Sequence, residues 1–478
     1  MPLGDSITKG GSSGVIPDDQ TFYVSYRKAL WDKLEAAGYV TDFVGSQIGG
    51  SAIPDFDPDH EGHGGWRDDE ILNGRKSEPN KGKLIEWLIN QQPDIVLLHI
   101  GTNGVESSPD HIEAILDIID FYSLDVWVVL ARIINRSCIT DDPSCSESVT
   151  TTTFNNNTTT MAQNRIDNLG DKIILVDMED GAGIDYFAFP AGDMWDNLHP
   201  YETGYLKMAD LWFTALDQIL QSVDGTNVVL DYIEIEGPPI LNENSRANYY
   251  CRAYYTNGTN RLVMANNWNE DSLFADIPNM GNLINEEVLS DESVEIYAIY
   301  SEGNITKNTT YDVIVRDLFT YNLQSRVSKT GSVSQGEWVY YQLEASASDA
   351  DILVELTNLS ANVDLYVLAG FIPTLTDYDC RPSQSGTTSE TCIVQNSQAI
   401  TWYVGVYGYQ TGNFTITATL PIFNDVPIGH WADDYIYAIY NAGITTGCAQ
   451  NPLRYRPQNP VNRAQMAAFL ARAFLGME

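Results

Sequence analysis

Positive charge is scarce in this 478-residue chain. There are 26 lysines and arginines against 65 aspartates and glutamates, a formal net charge of -39. A phosphate backbone or an anionic lipid surface would be repelled, which excludes nucleic acid and acidic membranes as partners. Long apolar runs are missing as well. Hydrophobic residues make up 43% of the chain, enough for a packed core, yet no stretch approaches the ~20 apolar residues of a membrane span. Met1-Pro2-Leu3 is far too short for the apolar segment of an export signal. Cysteine is rare, with six in all. Cys138 and Cys145 flank one short polar loop, and Cys380 and Cys392 flank another. Each pair is close enough for a local disulfide, which would favour an oxidising compartment, and spacing alone leaves free thiols open. Cys251, in the alternating "NYYCRAYY", reads as a small buried apolar residue, and Cys448 has no evident partner.

The length predicts several domains. Up to residue 222 strands and helices alternate. "TDFVGS" (41–46), "PDIVLLHIG" (93–101), "DVWVVLARI" (125–133) and "KIILVDM" (172–178) read as strands buried on both faces of a parallel sheet. "YRKALWDKLEAAG", "PDHIEAILDIIDFY" and "TGYLKMADLWFTALDQIL" carry helical periodicity. This is the pattern of a three-layer α/β domain. From 226 to 421 helical periodicity disappears. Alternating strands with Gly, Asn and Asp turns take over, including the hairpin signal "TNGT", and a break at "RDLFTYN" divides them into two sandwich-sized units, 226–318 and 320–421. From 423 to 478 two amphipathic helical segments close the chain.

Polar residues gather where strands of the first domain should end, which is where open α/β sheets place their ligands. They are Gly4-Asp5-Ser6, "HEGHGGW" (60–66), Gly101-Thr102-Asn103 and "DNLHP" (196–200). A serine hydroxyl needs a base to become a nucleophile. In Asp196-Asn-Leu-His199 the carboxylate is within local reach of the imidazole Nδ1, leaving Nε2 free to face a serine. Taken singly, Ser6 is a turn serine, Asp196 a helix cap, Asn103 an Asx-turn residue and His199 a surface histidine. His60 and His63 flank Glu61 without the spacing of a metal-ligand set, so they read as loop architecture. The segment 134–153 follows a strand on the same side and reads either as a lid over the site or as a surface insertion.

Together these blocks resemble the SGNH (GDSL-type) hydrolases over residues 1–222. "MPLGDSIT", "FVGS", "DHEGHGGW", "PDIVLLHIGTN" and "LHPYETGYLKMADLW" are similar to the family 3 carbohydrate esterases, which include acetylxylan esterases. The resemblance implies a flavodoxin-like fold, with Ser6, Asp196 and His199 as the catalytic set. It implies an oxyanion hole of the Ser6 N–H, the Gly65 N–H and the Asn103 amide, with no cofactor and no metal. Gly104 stands where many relatives have Asp. Relatives also have a full strand ahead of Gly-Asp-Ser, so the chain is expected to be part of a longer protein whose export signal lies upstream of Met1.

Downstream, "LDYIEIEGPPILNENSRANYYCRAYYTNGTNR" resembles a bacterial Ig-like domain (226–318). "VDLYV", "PTLTDYDCRPSQSG", "SETC" and "WYVGVYGYQTGNFTI" resemble a pre-peptidase C-terminal domain (320–421), which implies a Cys380–Cys392 disulfide. Its Trp402, Tyr407 and Tyr409 read as core residues rather than a sugar platform. "FNDVPIGHWADDYIYAIYNAGITTGC" and "YRPQNPVNRAQMAAFLARAF" resemble one S-layer homology module (423–478), implying a cell-wall polymer as partner. The expected protein is a secreted or wall-associated bacterial serine esterase acting on an acetylated plant polysaccharide such as xylan. The alternatives are a GDSL lipase or arylesterase of other acyl preference and a non-catalytic surface carbohydrate-binding protein.

Overall fold

Short apolar stretches bounded by glycine, proline and aspartate become the strands of one sheet. The computed structural model describes residues 1–11, 18–136, 146–221, 228–278, 280–345, 350–382, 384–397, 400–450 and 453–475. The sheet is built from β1 (Pro2–Gly4), β2 (Gln47–Ile48), β3 (Asp59–Gly62), β4 (Ile95–His99), β5 (Trp127–Arg132) and β6 (Ile173–Asp177). Their order is β2-β3-β1-β4-β5-β6. All neighbours are parallel except the β2–β3 pair. Short β1 therefore lies at the centre, with β3 on one side and β4 on the other. The chain changes direction across the sheet at β1, and the crevice for a ligand opens at its carboxyl end.

Helices α1 (Ser6–Lys9), α2 (Ser25–Ala36), α3 (Asp68–Asn73), α4 (Leu84–Gln91), α5 (Asp110–Tyr122), α6 (Ser146–Leu169) and α7 (Glu202–Leu220) accompany the sheet. Alternate strand residues feed two cores. Leu3, Val96, Leu98, Val128 and Leu130 pack with Ile112, Ile115 and Ile119 of α5 and Phe154 and Met161 of α6. Leu97, Val129 and Ala131 pack with Tyr26, Leu30 and Leu34 of α2 and Met208 and Trp212 of α7. Each fully buried large apolar side chain is worth about 1.5–3 kcal/mol.

Two expectations fail here. Residues 41–46 are not a strand. The strand beside β1 is the polar Asp-His-Glu-Gly of β3, in which Glu61 is bonded by Ser46 and His60 is bonded at Nδ1 only. Ser46 donates through N–H and Oγ to Glu61 (2.7 Å each), and the Gly62 N–H donates to His60 Nδ1 (2.9 Å). The segment 134–153 is not a loop throughout, because from Ser146 it is the start of α6. Several threonines of α6 return their hydroxyls to carbonyls four residues back, as Thr151 does to Glu147 (2.9 Å) and Thr159 to Asn155 (2.8 Å). Cys138, Cys145 and the loop between them lie outside the described residues.

The chain resolves into two compact units. The first comprises Met1–Glu236, Tyr250–Asn267 and Ala298–Thr310, and the second Gly237–Tyr249, Trp268–Tyr297 and Tyr311–Glu478. In the first unit an antiparallel sheet of Asn260–Val263, Tyr250–Tyr255 and Leu230–Glu236 adjoins α5. Arg252 donates to the carbonyls of Phe121 (2.6 Å) and Tyr122 (3.1 Å), and Ser123 Oγ to that of Asn260 (2.6 Å). Cys251 is 1% exposed, and burial pushes its thiol up to about 12.

In the second unit two four-stranded sheets face each other over a core that includes Ile352, Val354, Leu365, Val404 and Ile416. Trp402 is buried in that core, whereas Tyr409, expected there too, is 39% exposed. Cys380 and Cys392 are disulfide-bonded. Helices α8 (Asp433–Asn441) and α9 (Arg463–Leu475) follow, and Arg326 holds the start of α8 through Asp433 (2.7 Å) and Asp434 (3.1 Å).

Candidate active site

Asp5 ends the central strand and caps α1 by accepting from the Ile7 N–H (2.9 Å). That places Ser6 at the first helical residue, at the carboxyl end of the sheet. Ser6 Oγ lies 2.9 Å from His199 Nε2, although 193 residues separate them. His199 Nδ1 lies 2.9 Å from Asp196 Oδ2. A carboxylate only accepts, so the ring proton sits on Nδ1 and Nε2 is left to accept the serine hydroxyl. Asp196 also accepts from the N–H groups of Leu198 (2.8 Å) and His199 (2.6 Å), while the Trp195 N–H donates to the His199 carbonyl (2.8 Å). The Asp-x-x-His turn is thus closed from both ends. Burial works against the Asp196 charge, but the His199 N–H, the His199 ring and the Leu198 N–H outweigh it and hold the carboxyl below its ordinary range.

The other histidines are occupied elsewhere. His60, His63 and His99 are buried, while His111 faces Asp68 (3.3 Å). His63 Nε2 meets Glu61 (2.6 Å), with its ring against those of Trp66 (4.4 Å) and Trp87 (4.6 Å). This anchors the loop that carries Gly64 and Gly65. Gly65 has φ +75°, in the region that favours glycine. The Asn103 amide donates to the Trp66 carbonyl (2.9 Å), tying the loop after β4 to the loop after β3. The structure therefore joins Ser6, Asp196 and His199 directly. It links Gly65 to Asn103 through the adjacent Trp66. Among the described residues no cluster of three or more His, Cys, Asp or Glu is placed to hold a metal.

Two arginines escaped the sequence reading. Arg75 donates to the Gly65 carbonyl, is paired with Glu70 (2.7 Å), and lies over the Trp66 ring at 5.3 Å. Arg136 donates to the Thr102 carbonyl, next to Asn103, and pairs with Glu147 (2.8 Å). Both act on backbone oxygens, which leave no mark on a sequence pattern. A cavity of about 810 Å³ also lies in this unit, lined by Met1, Asp94, Ile95 and Lys172. It sits at the amino ends of the strands, away from Ser6.

Comparison with known proteins adds the following. A model of the bacterial pre-peptidase C-terminal domain matches residues 339–408, and a model of the S-layer homology domain matches 422–467. The chain carries both modules. The pre-peptidase C-terminal domain is the facing-sheet sandwich with the disulfide, and the S-layer homology domain holds α8. A multidomain esterase of Ruminococcus flavefaciens is 27% identical over 245 residues, which is 47% of this chain and 29% of that protein. A neutral protease of Vibrio proteolyticus is 35% identical over 78 residues, 16% of this chain and 12% of that protein. The chain thus spans less than a third of the length of these curated relatives. A solved carbohydrate acetylesterase of Sinorhizobium meliloti is 14% identical, covering 46% of this chain and 97% of its own, with a TM-score of 0.31. No helix among the described residues is long and apolar enough to cross a membrane.

Proposed function

We propose that this chain is a serine carboxylic-ester hydrolase. The observation that carries the reading is the relay Ser6 Oγ–His199 Nε2 (2.9 Å) and His199 Nδ1–Asp196 Oδ2 (2.9 Å). His199 takes the Ser6 proton as Oγ adds to the ester carbonyl. The oxyanion is met by the Ser6 N–H, the Gly65 N–H and the Asn103 amide, each such donor typically worth about 3 kcal/mol of barrier. His199 then protonates the leaving alcohol, and water, deprotonated by His199, releases the acid from the acyl-serine. Asp196 keeps the imidazole oriented and stabilises its charge.

Within that reading the substrate is an acetylated polysaccharide such as xylan. The S-layer homology module supports a place at the cell surface, with a wall polymer as partner. A chain this acidic suits a neutral polymer better than an anionic one. The purified chain should hydrolyse p-nitrophenyl acetate and release acetate from acetylated xylan, and Ser6→Ala should abolish both. Undiminished turnover in Ser6→Ala would overturn the esterase reading. Preference for long-chain esters would overturn the carbohydrate substrate.

A further inference from the structure

The loop between β6 and α7 is fixed to itself backbone to backbone. Asp193 N–H donates to the Asp185 carbonyl (2.8 Å), Met194 N–H to Phe187 (3.1 Å), Phe189 N–H to Met194 (2.7 Å) and Tyr201 N–H to Asp193 (2.7 Å). Gly192 permits this closeness, since a Cβ there would stand 2.4 Å from the Phe187 carbonyl oxygen. Lys207 of α7 ties the loop down through Asp193 (2.6 Å).

This rigid frame leaves large rings in solvent. Phe187 is 63% exposed, Phe189 47% and Trp195 48%. Tyr201 stacks on Phe189 at 4.0 Å and lies near-parallel to Trp195 at 6.2 Å. A contiguous exposed apolar patch on an ordered loop marks a binding surface rather than loose packing. Its position says what it binds. Trp195 immediately precedes Asp196, and its N–H holds the His199 carbonyl, which roots the patch in the same turn as the relay. The carboxylate-rich chain disfavours an anionic occupant. Flat aromatic faces beside a hydrolytic serine suit the apolar faces of neutral sugar rings, with hydroxyls left to water.

We infer that Phe189, Trp195 and Tyr201 form a subsite that stacks on the sugar rings of a neutral acetylated polysaccharide and presents its ester to Ser6. The inference rests on the esterase reading for the role of Ser6, and its test is separable from turnover.

The 478-residue chain carrying Ser6→Ala is titrated with acetylated xylo-oligosaccharide by isothermal calorimetry and tryptophan fluorescence, after circular dichroism confirms folding. Saturable binding is expected. It should weaken about tenfold on adding Trp195→Ala or Phe189→Ala and be largely kept with Trp195→Phe. These two alanine positions lie apart in the loop, so a fold defect in one leaves the other as the test. No binding, equal binding with and without the aromatic rings, or displacement by ferulate or octanoate but not by deacetylated oligosaccharide would each overturn the subsite. Absence of ester hydrolysis in the wild-type chain alongside shelf-dependent binding would overturn the esterase reading and leave the subsite standing.

Discussion

Arg75 grips Gly65 from the outer side of the oxyanion loop, donating to its carbonyl oxygen while its guanidinium rests on Trp66. With Glu70 and Glu78 holding Arg75 and the Trp66 indole N–H in turn, the peptide after Gly65 has one allowed orientation. The Gly65 N–H that should meet the oxyanion belongs to the preceding peptide, and the hold on the following one reaches it through the Gly65 Cα, at φ +75°. Arg75→Ala should therefore lower kcat for p-nitrophenyl acetate by roughly 10–100-fold with KM little changed, as expected when transition-state stabilisation alone is lost. Arg75→Lys should recover part of the loss. Initial-rate kinetics on folded variants decide it, and a change confined to KM would show that Arg75 acts on substrate binding instead.

Replacing Asp196 with Asn keeps the shape of the turn but offers His199 an amide in place of an acceptor-only carboxylate. The imidazole can then carry its proton on Nε2, facing Ser6. A fall in kcat of roughly 10⁴-fold is expected, comparable with the effect of the same change in other triads. Retention of most of the wild-type rate would mean that Asp196 does not set the tautomer.

Asp5 is fully buried, and burial pushes its carboxyl up to about 6, with the Ile7 N–H, Thr102 and the His199 charge opposing. The unfolded chain loses this proton near 3.8. Between those values the folded state holds more protons than the unfolded one, so Asp5 subtracts stability as pH rises through the window and the full cost persists above it. Asp5→Asn keeps an oxygen for the Ile7 N–H and removes the charge. Calorimetry should find the variant more stable than wild type at pH 7.5, by roughly 1–3 kcal/mol. The advantage should shrink as pH falls towards 4, and an advantage independent of pH would contradict this account.

Arg165 on α6 gathers three carboxylates, Asp117 (2.5 Å), Asp120 (2.6 Å) and Asp171 (2.5 Å), and its side chain is 6% exposed. Arg165→Met fills much of the volume but leaves Asp171 buried without its partner. Removing one member of a buried ionic group typically costs about 3–5 kcal/mol, less here because Asp117 faces solvent. A melting temperature depressed by several degrees at pH 7 is expected, recovering in part when Asp171 is changed to Asn in the same chain.

The candidate site was legible because its parts are local. Gly-Asp-Ser, Gly-Thr-Asn and Asp-x-x-His each need a few neighbouring residues, and each falls at a strand end or turn. Helices α2, α5 and α7 were legible from their apolar stripes. β3 was not, because its buried side chains are polar, with Glu61 bonded to Ser46 and His63 and His60 to the Gly62 N–H, a pattern indistinguishable from a loop. α6 was hidden for a related reason. Its inward stripe includes Thr151, Asn155, Thr158 and Arg165 beside Phe154 and Met161, so neither hydrophobic period nor helix propensity announced it. The aromatic shelf escaped notice because Phe189, Trp195 and Tyr201 have no regular spacing, and only the folded loop brings them side by side.

In chain order, five of the six strands of the sheet lie between Ser6 and His199. Ser6 has no base until His199 is brought to it, with α7 packed beside α2. β2 to β6 separate them, so the reacting pair meets only when the sheet between is in place. Recovered ester turnover after denaturation should accordingly be among the last signals to return, behind secondary structure and tryptophan burial. In that reading the Ser6–His199 pair reports assembly of the whole sheet rather than of any single element.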